Sequence, residues 1–482
     1  VQAKGSALGQ EITKTRFSKE DFAEFQHRLE QETGLLQEWL EDDAFSHHDP
    51  VAGFELEAWL LDADFHPMPV NQPFLEAFDN ELASPELARF NIELNTHPHE
   101  LSGQLLGNIH KELLSTTQTA REVAHSLDSQ MLLTGILPTL KSSDLTLANM
   151  SDMRRYRALN EQVLASRGGK PLNLDITGHE PLSETHDNVM LEAATTSFQI
   201  HIQVPVASAH HYYNASMIAS APVVAAAANS PYLFDHELWD ETRIPLFEQS
   251  VEVGGYEGVS QGPLHRVSFG SGFARNSILE CFRENLEHFP SLLPIQFDES
   301  DAPVPHLRLH NGTIWRWNRP LIGFDSDGTP HIRIEHRVVP AGPSIADSMA
   351  NAALYYGLTE ALVEGQYMEK IPFAEARDNF YKSAKLGLGA TVTWPGPGHI
   401  SMQKLLLEHI LPMAEHGLEL LDIDSDERRD YLEIIRARVA CSQNGSEWQR
   451  RFCTVHGRQM DELTASMLKN QIDDHPVHEW DL

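Results

Sequence analysis

The sequence predicts an α+β protein, a strand-rich core followed by a helical C-terminal section. Between about residues 50 and 340 the apolar residues fall in short alternating runs broken by turn residues, the period-two pattern of half-buried strands. After Gly342-Pro343 the spacing changes to the three-and-four pattern of helices. The expected organisation is therefore a helical segment over 1–48, a mixed core over 49–343 and a helical section over 344–482 packed on that core.

At the N-terminal end Ser18 stands three residues before Asp21, a capping-box spacing. Phe22, Phe25, Leu29, Leu35, Leu36 and Leu40 follow at helical intervals, so an amphipathic helix is expected there. The residues before it, Val1 to Ile12, are polar and lack the apolar run of a secretion signal. The Ala-rich stretch from Pro205 to Asn229 is interrupted by His210, His211 and Asn214 and reads as a buried helix. No stretch approaches twenty uninterrupted apolar residues, so a membrane span is not expected. Asn311-Gly312, between Leu307-Arg308-Leu309 and Thr313-Ile314-Trp315, predicts a hairpin turn. Further on, Ser344 and Asp347 make a second capping box. Helices are then expected to about 370 and over 373–387, 399–417, 425–440 and 446–471.

Charge narrows the function classes. With 70 acidic against 36 basic residues, a net charge of -34, the chain is a poor partner for nucleic acid or an anionic membrane surface. Any phosphate it binds needs a metal ion or arginines. Its three cysteines, Cys281, Cys441 and Cys453, are odd in number, far apart and without CxxC spacing, so neither a disulfide framework nor a zinc site is expected, and a reducing cytosol is. The histidines at 97, 99, 201, 210 and 211 show no HExxH or tight tetrahedral spacing.

Four strand-like segments carry metal-competent residues on one face and apolar residues on the other. In Gly53-Phe54-Glu55-Leu56-Glu57-Ala58 the two glutamates lie two apart and share a face. Glu93 sits between apolar neighbours in Asn91-Ile92-Glu93-Leu94-Asn95. Gln199 and His201 share a face in Phe198-Gln199-Ile200-His201-Ile202-Gln203-Val204, and Glu335 and Arg337 do so in Ile332-Arg333-Ile334-Glu335-His336-Arg337-Val338. A single such strand is ordinarily a half-buried strand showing its polar side to water. All four lack lysine, and clustered carboxylates are costly to bury without a compensating cation. If the four faces converge, magnesium or manganese is the natural compensator, since hard divalent ions accept carboxylate oxygen and tolerate imidazole.

These motifs resemble the glutamate-cysteine ligase superfamily. The resemblance rests on the Glu55-x-Glu57 strand, on Glu86-Leu87-Ala88-Arg89-Phe90-Asn91-Ile92-Glu93, and on Glu335-His336-Arg337. It is extended by Gly135-Ile136-Leu137-Pro138 with Arg155-Tyr156, by Asn229-Ser230-Pro231 with Arg243, and by Gly312-Thr313-Ile314-Trp315 with Arg319. The order of these motifs along the chain is the strong part. Where related chains often carry His-Val-His-Val, this one has Gln199-Ile200-His201-Ile202.

The resemblance implies a glutamine synthetase-like antiparallel sheet forming a polar active-site funnel. It implies an ATP-dependent ligase that phosphorylates a carboxylate, typically the γ-carboxylate of glutamate, before an amine attacks the acyl phosphate. Cysteine is the default amine, as in glutathione biosynthesis. Mg2+ or Mn2+ would be held by Glu55, Glu57, Glu86, Glu93, Glu335 and either Gln199 or His201. Arg337 would contact the transferring phosphate, and Arg243, with Arg319 a weaker candidate, would capture the acidic amino acid. Arg243 and Arg319 also have the plain reading of a surface ion pair with the many local acids. Glu86 doubles as a first-turn helix residue in Pro85-Glu86-Leu87-Ala88, and Trp315 and Trp317 read as core before they read as an adenine platform. A phosphotransferase on the same fold and a silent amino-acid- or metal-binding relative are the other classes compatible with this pattern. The amine and the oligomeric state are not legible.

Overall fold

The computed structural model describes residues 15–253, 265–297 and 303–482. The polar start Val1 to Ile12 lies outside the described residues. Six strands form the main path of one antiparallel sheet. In chain order they are β1 (Val51–Leu61), β2 (Ala83–Pro85), β3 (Asn91–Asn95), β4 (Phe198–Val204), β5 (Asn318–Phe324) and β6 (Pro330–His336). Their spatial order is β5-β6-β4-β1-β3-β2, and two short strands, His99–Glu100 and Gln130–Leu132, also pair with β1.

The period-two pattern sets the two faces. Phe54, Leu56, Ile92, Leu94, Phe198, Ile200, Ile202, Ile332 and Ile334 are buried on the apolar side. There Phe54 stacks on Phe198 at 4.9 Å between ring centres. Two helices support that side. The Ala-rich helix Ala209–Ala227, buried along nearly its whole length, packs against β5 and β6. The helix Ile345–Glu364 packs against β4 and the Ala-rich helix, and its Tyr356 hydroxyl donates to the His201 carbonyl at 2.9 Å.

Both capping boxes form. Ser18 opens the helix Lys19–Glu41, whose buried stripe includes Phe25, Leu29 and Leu36. Ser344 and Asp347 open the helix Ile345–Glu364. Asp347 also pairs with Arg438 at 2.8 Å and accepts from the Val477 amide at 2.9 Å, tying later helices to this one. Among the described residues no helix is long and apolar enough to cross a membrane.

The structure corrects several local expectations. Asn311-Gly312 ends a helix, Pro305–Gly312, instead of turning a hairpin. Pro305 lies in its first turn, a position where a missing N–H costs nothing. The Asn311 side chain is spent on Asn285 and on the Pro320 carbonyl. The hairpin comes one step later, between β5 and β6, where Gly328 takes φ 89° and Asp325 and Thr329 close the turn. In the C-terminal section Thr391–Trp394 and Gly398–Ser401 form an unexpected hairpin, so the helix expected from 399 starts at Met402. The segment 446–471 is two helices, Gly445–His456 and Met460–Ile472, parted at Gly457 with φ 85°. Glu86 does not open a helix. It follows the end of β2 in an irregular segment held by the Ser151 amide on the Leu87 carbonyl at 2.9 Å.

Candidate active site

Cross-strand register brings the polar residues together on one face. Glu57 faces Glu93 across β1 and β3, Glu55 faces Gln199 across β1 and β4, and Glu335 lies between His201 on β4 and Arg319 on β5. Gly53 stands opposite His201, and a Cβ there would meet open space, so the floor beside the imidazole is clear. One pocket is lined by Glu55, Glu57, Glu86, Glu93, Gln199 and Arg337, with Arg243 and Arg319 also on its wall. An aromatic wall of Phe247, Trp315 and Trp317 closes another side.

The seven metal-competent residues sort into two groups whose ligand atoms all lie within 4.8 Å of one another, with Gln199 between them. The first, Glu55, His201 and Glu335, is the paired cluster. Arg319 grips Glu335 through Nε and Nη2, both at 2.9 Å, and Arg337 Nη1 adds a contact at 3.2 Å. His201 Nε2 lies 3.3 Å from Glu55 Oε1, a contact of charge more than of hydrogen-bond geometry, and neither buried imidazole nitrogen has a well-formed hydrogen bond among the described residues. Burial works to raise both carboxyls but is outweighed by their neighbours: Arg319 and Arg337 hold Glu335 far below the usual carboxylate range, and the adjacent His201 holds Glu55 below it.

The second group, Glu57, Glu86 and Glu93, is the acidic cluster. Glu57 accepts from the Ser197 amide at 2.7 Å, the Ser197 hydroxyl at 2.8 Å and Gln199 Nε2 at 2.8 Å. Glu93 accepts from Asn95 at 2.9 Å and Ser84 at 3.2 Å. None of the three has an ion pair within 4 Å among the described residues. Burial pushes all three up. It is joined at Glu93 by the charges of Glu55 and Glu86, and at Glu86, raised to about 8, by Glu57.

Arg337 joins the clusters. It donates to Glu335 and to Gln199 Oε1, while Glu57 and Glu55 add to the field that keeps it protonated. Arg243 reaches the pocket wall with two donors already taken, Nε by Glu241 and Nη2 by the Val338 carbonyl, each at 2.8 Å. Its ion pair is fully buried, unlike the surface pair the sequence offered as the plain reading. The same holds for Arg319, whose Nη1 also reaches the Gly312 carbonyl at 3.2 Å. Trp315 and Trp317 are both buried and pocket-lining, and Trp317 Nε1 donates to Glu248 at 2.9 Å.

Of the histidines grouped by composition, only His201 is at the site. His97 and His99 share Glu112, and His210 and His211 lie ring against ring. The sequence reading missed Ser197, although it continues the face of Gln199 and His201 at the same two-residue step. It also gave no role to Arg155 and Tyr156, which line the pocket; the Tyr156 hydroxyl, accepting from Arg155, donates to the Pro85 carbonyl at 3.2 Å beside Glu86. Glu192, in the short helical segment Val189–Ala194, is a further pocket residue with no periodic signal to mark it. Burial and the charge of Glu57 push it up to about 7 against the pull of Arg337.

One face of a curled antiparallel sheet thus carries two carboxylate clusters with Arg337 between them. The chain belongs to glutamate-cysteine ligase family 2, whose family model matches residues 51–470. Among solved structures it is similar to the glutamate-cysteine ligase of Francisella tularensis in complex with AMP, with a TM-score of 0.54 and 12% identity over 89% of this chain and 90% of that one. It is also similar to the bifunctional glutathione synthetase of Pasteurella multocida, with a TM-score of 0.55 and 11% identity over 88% of this chain and 52% of that longer one. At these identities the likeness is one of fold. No curated protein matches the sequence.

Proposed function

We propose that the protein is an ATP-dependent ligase that joins the side-chain carboxylate of an acidic amino acid, glutamate first, to an amine, with cysteine the default amine. The observation that carries this reading is the pair of carboxylate clusters flanking Arg337 on one sheet face, with Glu55, Glu57, Glu86 and Glu93 lining the pocket itself. The orphaned His201 imidazole and the three glutamates of the acidic cluster fit divalent cations: an all-oxygen set suits Mg2+ or Mn2+, and one imidazole is compatible with either. When bound, such ions neutralise triphosphate charge and stabilise charge developing on the transferred phosphoryl group.

The chain's own residues do the rest. Arg337, pinned by Glu335 and Gln199, keeps its planar guanidinium at the seam of the clusters, where it would contact the transferring phosphoryl group. Arg243, braced by Glu241, presents a fixed positive charge to the acid substrate. Arg319, bound to Glu335 on two sides, holds that carboxylate in place, and any contact with substrate would be secondary. Attack of the γ-carboxylate on the γ-phosphorus gives an acyl phosphate and ADP. The amine then attacks the acyl carbon, the C–O bond breaks, and phosphate leaves carrying a proton from the nitrogen.

The test is phosphate release from ATP with glutamate, crossed against a panel of amines that includes cysteine, with mass spectrometry of the product. An amide product and phosphate release that both require glutamate and an amine support the reading. Continuous turnover that ends in a stable phosphorylated product with no amine incorporated, or no ATP turnover with any pair, would end it.

A further inference from the structure

We propose that the Glu192 carboxylate receives the ammonium group of a substrate. This rests on the ligase reading and deepens it by naming the residue that recognises an amino group.

Glu192 lines the pocket yet belongs to neither metal-competent cluster. Its Oε2 is buried and has no hydrogen-bond partner among the described residues. Arg337 is near enough to act on it electrostatically, but its guanidinium donates to Glu335 and Gln199 instead. Of the other pocket arginines, Arg243 and Arg319 are committed to Glu241 and Glu335, and Arg155 donates to the Tyr156 hydroxyl. A carboxylate oxygen hidden from water, with nothing donating to it, is costly to keep unless a ligand completes it. The missing partner must bring both N–H donors and positive charge. Amino acids supply this as an ammonium group, and both expected substrates carry one: the acid on its α-carbon, the amine before it reacts. The backbone holds the carboxylate in position. Glu192 lies in the segment Val189–Ala194, whose Asn188 cap accepts from the Met190 amide at 2.9 Å, and whose Glu192 carbonyl accepts from Thr195 just before β4 begins.

The experiment compares the wild-type full chain with Glu192→Gln and Glu192→Asp. Calorimetric binding of glutamate and of glutarate, which lacks the ammonium, is measured alongside KM and kcat for glutamate and for each amine the wild type uses. Glu192→Gln keeps the shape and removes the charge. It is expected to weaken the ammonium-bearing substrate about ten- to hundredfold, the usual worth of a hydrogen bond to a charged group. Glutarate binding should not change, and Glu192→Asp should recover part of the loss. A loss for glutamate assigns the α-ammonium of the acid; a loss for the amine alone assigns the nucleophile. Unchanged affinities for both, an equal loss for glutarate, or a fall in kcat with both KM values unchanged would overturn the proposal. A wild type that releases no phosphate with any pair overturns the ligase reading instead, while the glutamate-against-glutarate comparison still judges Glu192.

Discussion

The two clusters on the sheet are alike in size and opposite in electrostatics. Glu55, His201 and Glu335 come with their compensation built in, since Arg319 and Arg337 hold Glu335 and His201 stands beside Glu55. Glu57, Glu86 and Glu93 have neutral hydrogen-bond donors and no ion pair within 4 Å among the described residues, and the more distant charges of Arg337, Arg243 and Arg155 do not outweigh burial. The difference teaches that proximity of carboxylates is not by itself a metal signature. Glu335 in the paired cluster is compensated by bound arginines before any ligand arrives, whereas the acidic cluster is under-compensated and gains by taking up a proton or a cation.

Removing one carboxylate from each cluster should therefore have opposite effects on stability. Glu335→Gln leaves Arg319 and Arg337 buried beside a neutral amide, and breaking such a pair costs about 3–5 kcal/mol. Glu93→Gln relieves repulsion, so the metal-free variant should melt above the wild type while losing activity. Denaturant unfolding of both without metal checks this, and a loss of similar size in each would erase the contrast.

Arg337→Lys probes the residue that joins the clusters. It keeps the charge and loses the planar fork, so kcat should fall roughly a hundred- to thousandfold, about 2.7 to 4 kcal/mol, while ATP affinity changes much less. If Arg337 only braces Glu335, the melting temperature falls and turnover of the folded fraction stays near normal. Turnover and melting on one preparation separate these outcomes.

Metal should act chiefly on the acidic cluster. Mn2+ at a hundred times its Kd is expected to stabilise the protein by about 2.7 kcal/mol, and Glu93→Gln should remove much of that gain in a thermal-shift titration. Chelation should abolish activity.

The smallest effect is that of pH on the metal-free protein. Glu57, Glu86 and Glu93 bind protons more tightly folded than unfolded, so their contribution is fully present below the ordinary glutamate value of 4.5 and is lost as pH rises above it through their raised folded values, about 8 for Glu86. Glu55 and Glu335 run the other way, and their contribution is lost as pH falls below 4.5. Unfolding free energy compared at pH 5 and pH 8 should drop with pH in the wild type and drop less in Glu93→Gln.

Much of this site was legible because β-strands have a two-residue period, so Glu55 and Glu57, Gln199 and His201, and Glu335 and Arg337 could each be placed on one face from spacing alone. Their division into two clusters was not legible, since it depends on which strands are neighbours and in what register. Glu192 and Tyr156 lie outside the sheet, where no period points at a pocket. Asn311-Gly312 misled because a dipeptide suited to a turn also ends a helix when the buried side chains before it, His306, Leu307, Leu309 and His310, follow a helical face.

The register also governs when the site can exist during folding. Gln199 meets Glu57 across 142 residues of chain, and Arg337 meets Gln199 across 138. Contacts so distant must close long loops before they gain anything, which makes a sheet of this kind slow to assemble. A slip of one residue in β1 would turn both of its glutamates toward the apolar side and Phe54 and Leu56 toward the pocket. A half-folded chain is therefore expected to hold neither cluster intact, so loading with metal follows completion of the sheet and cannot guide it.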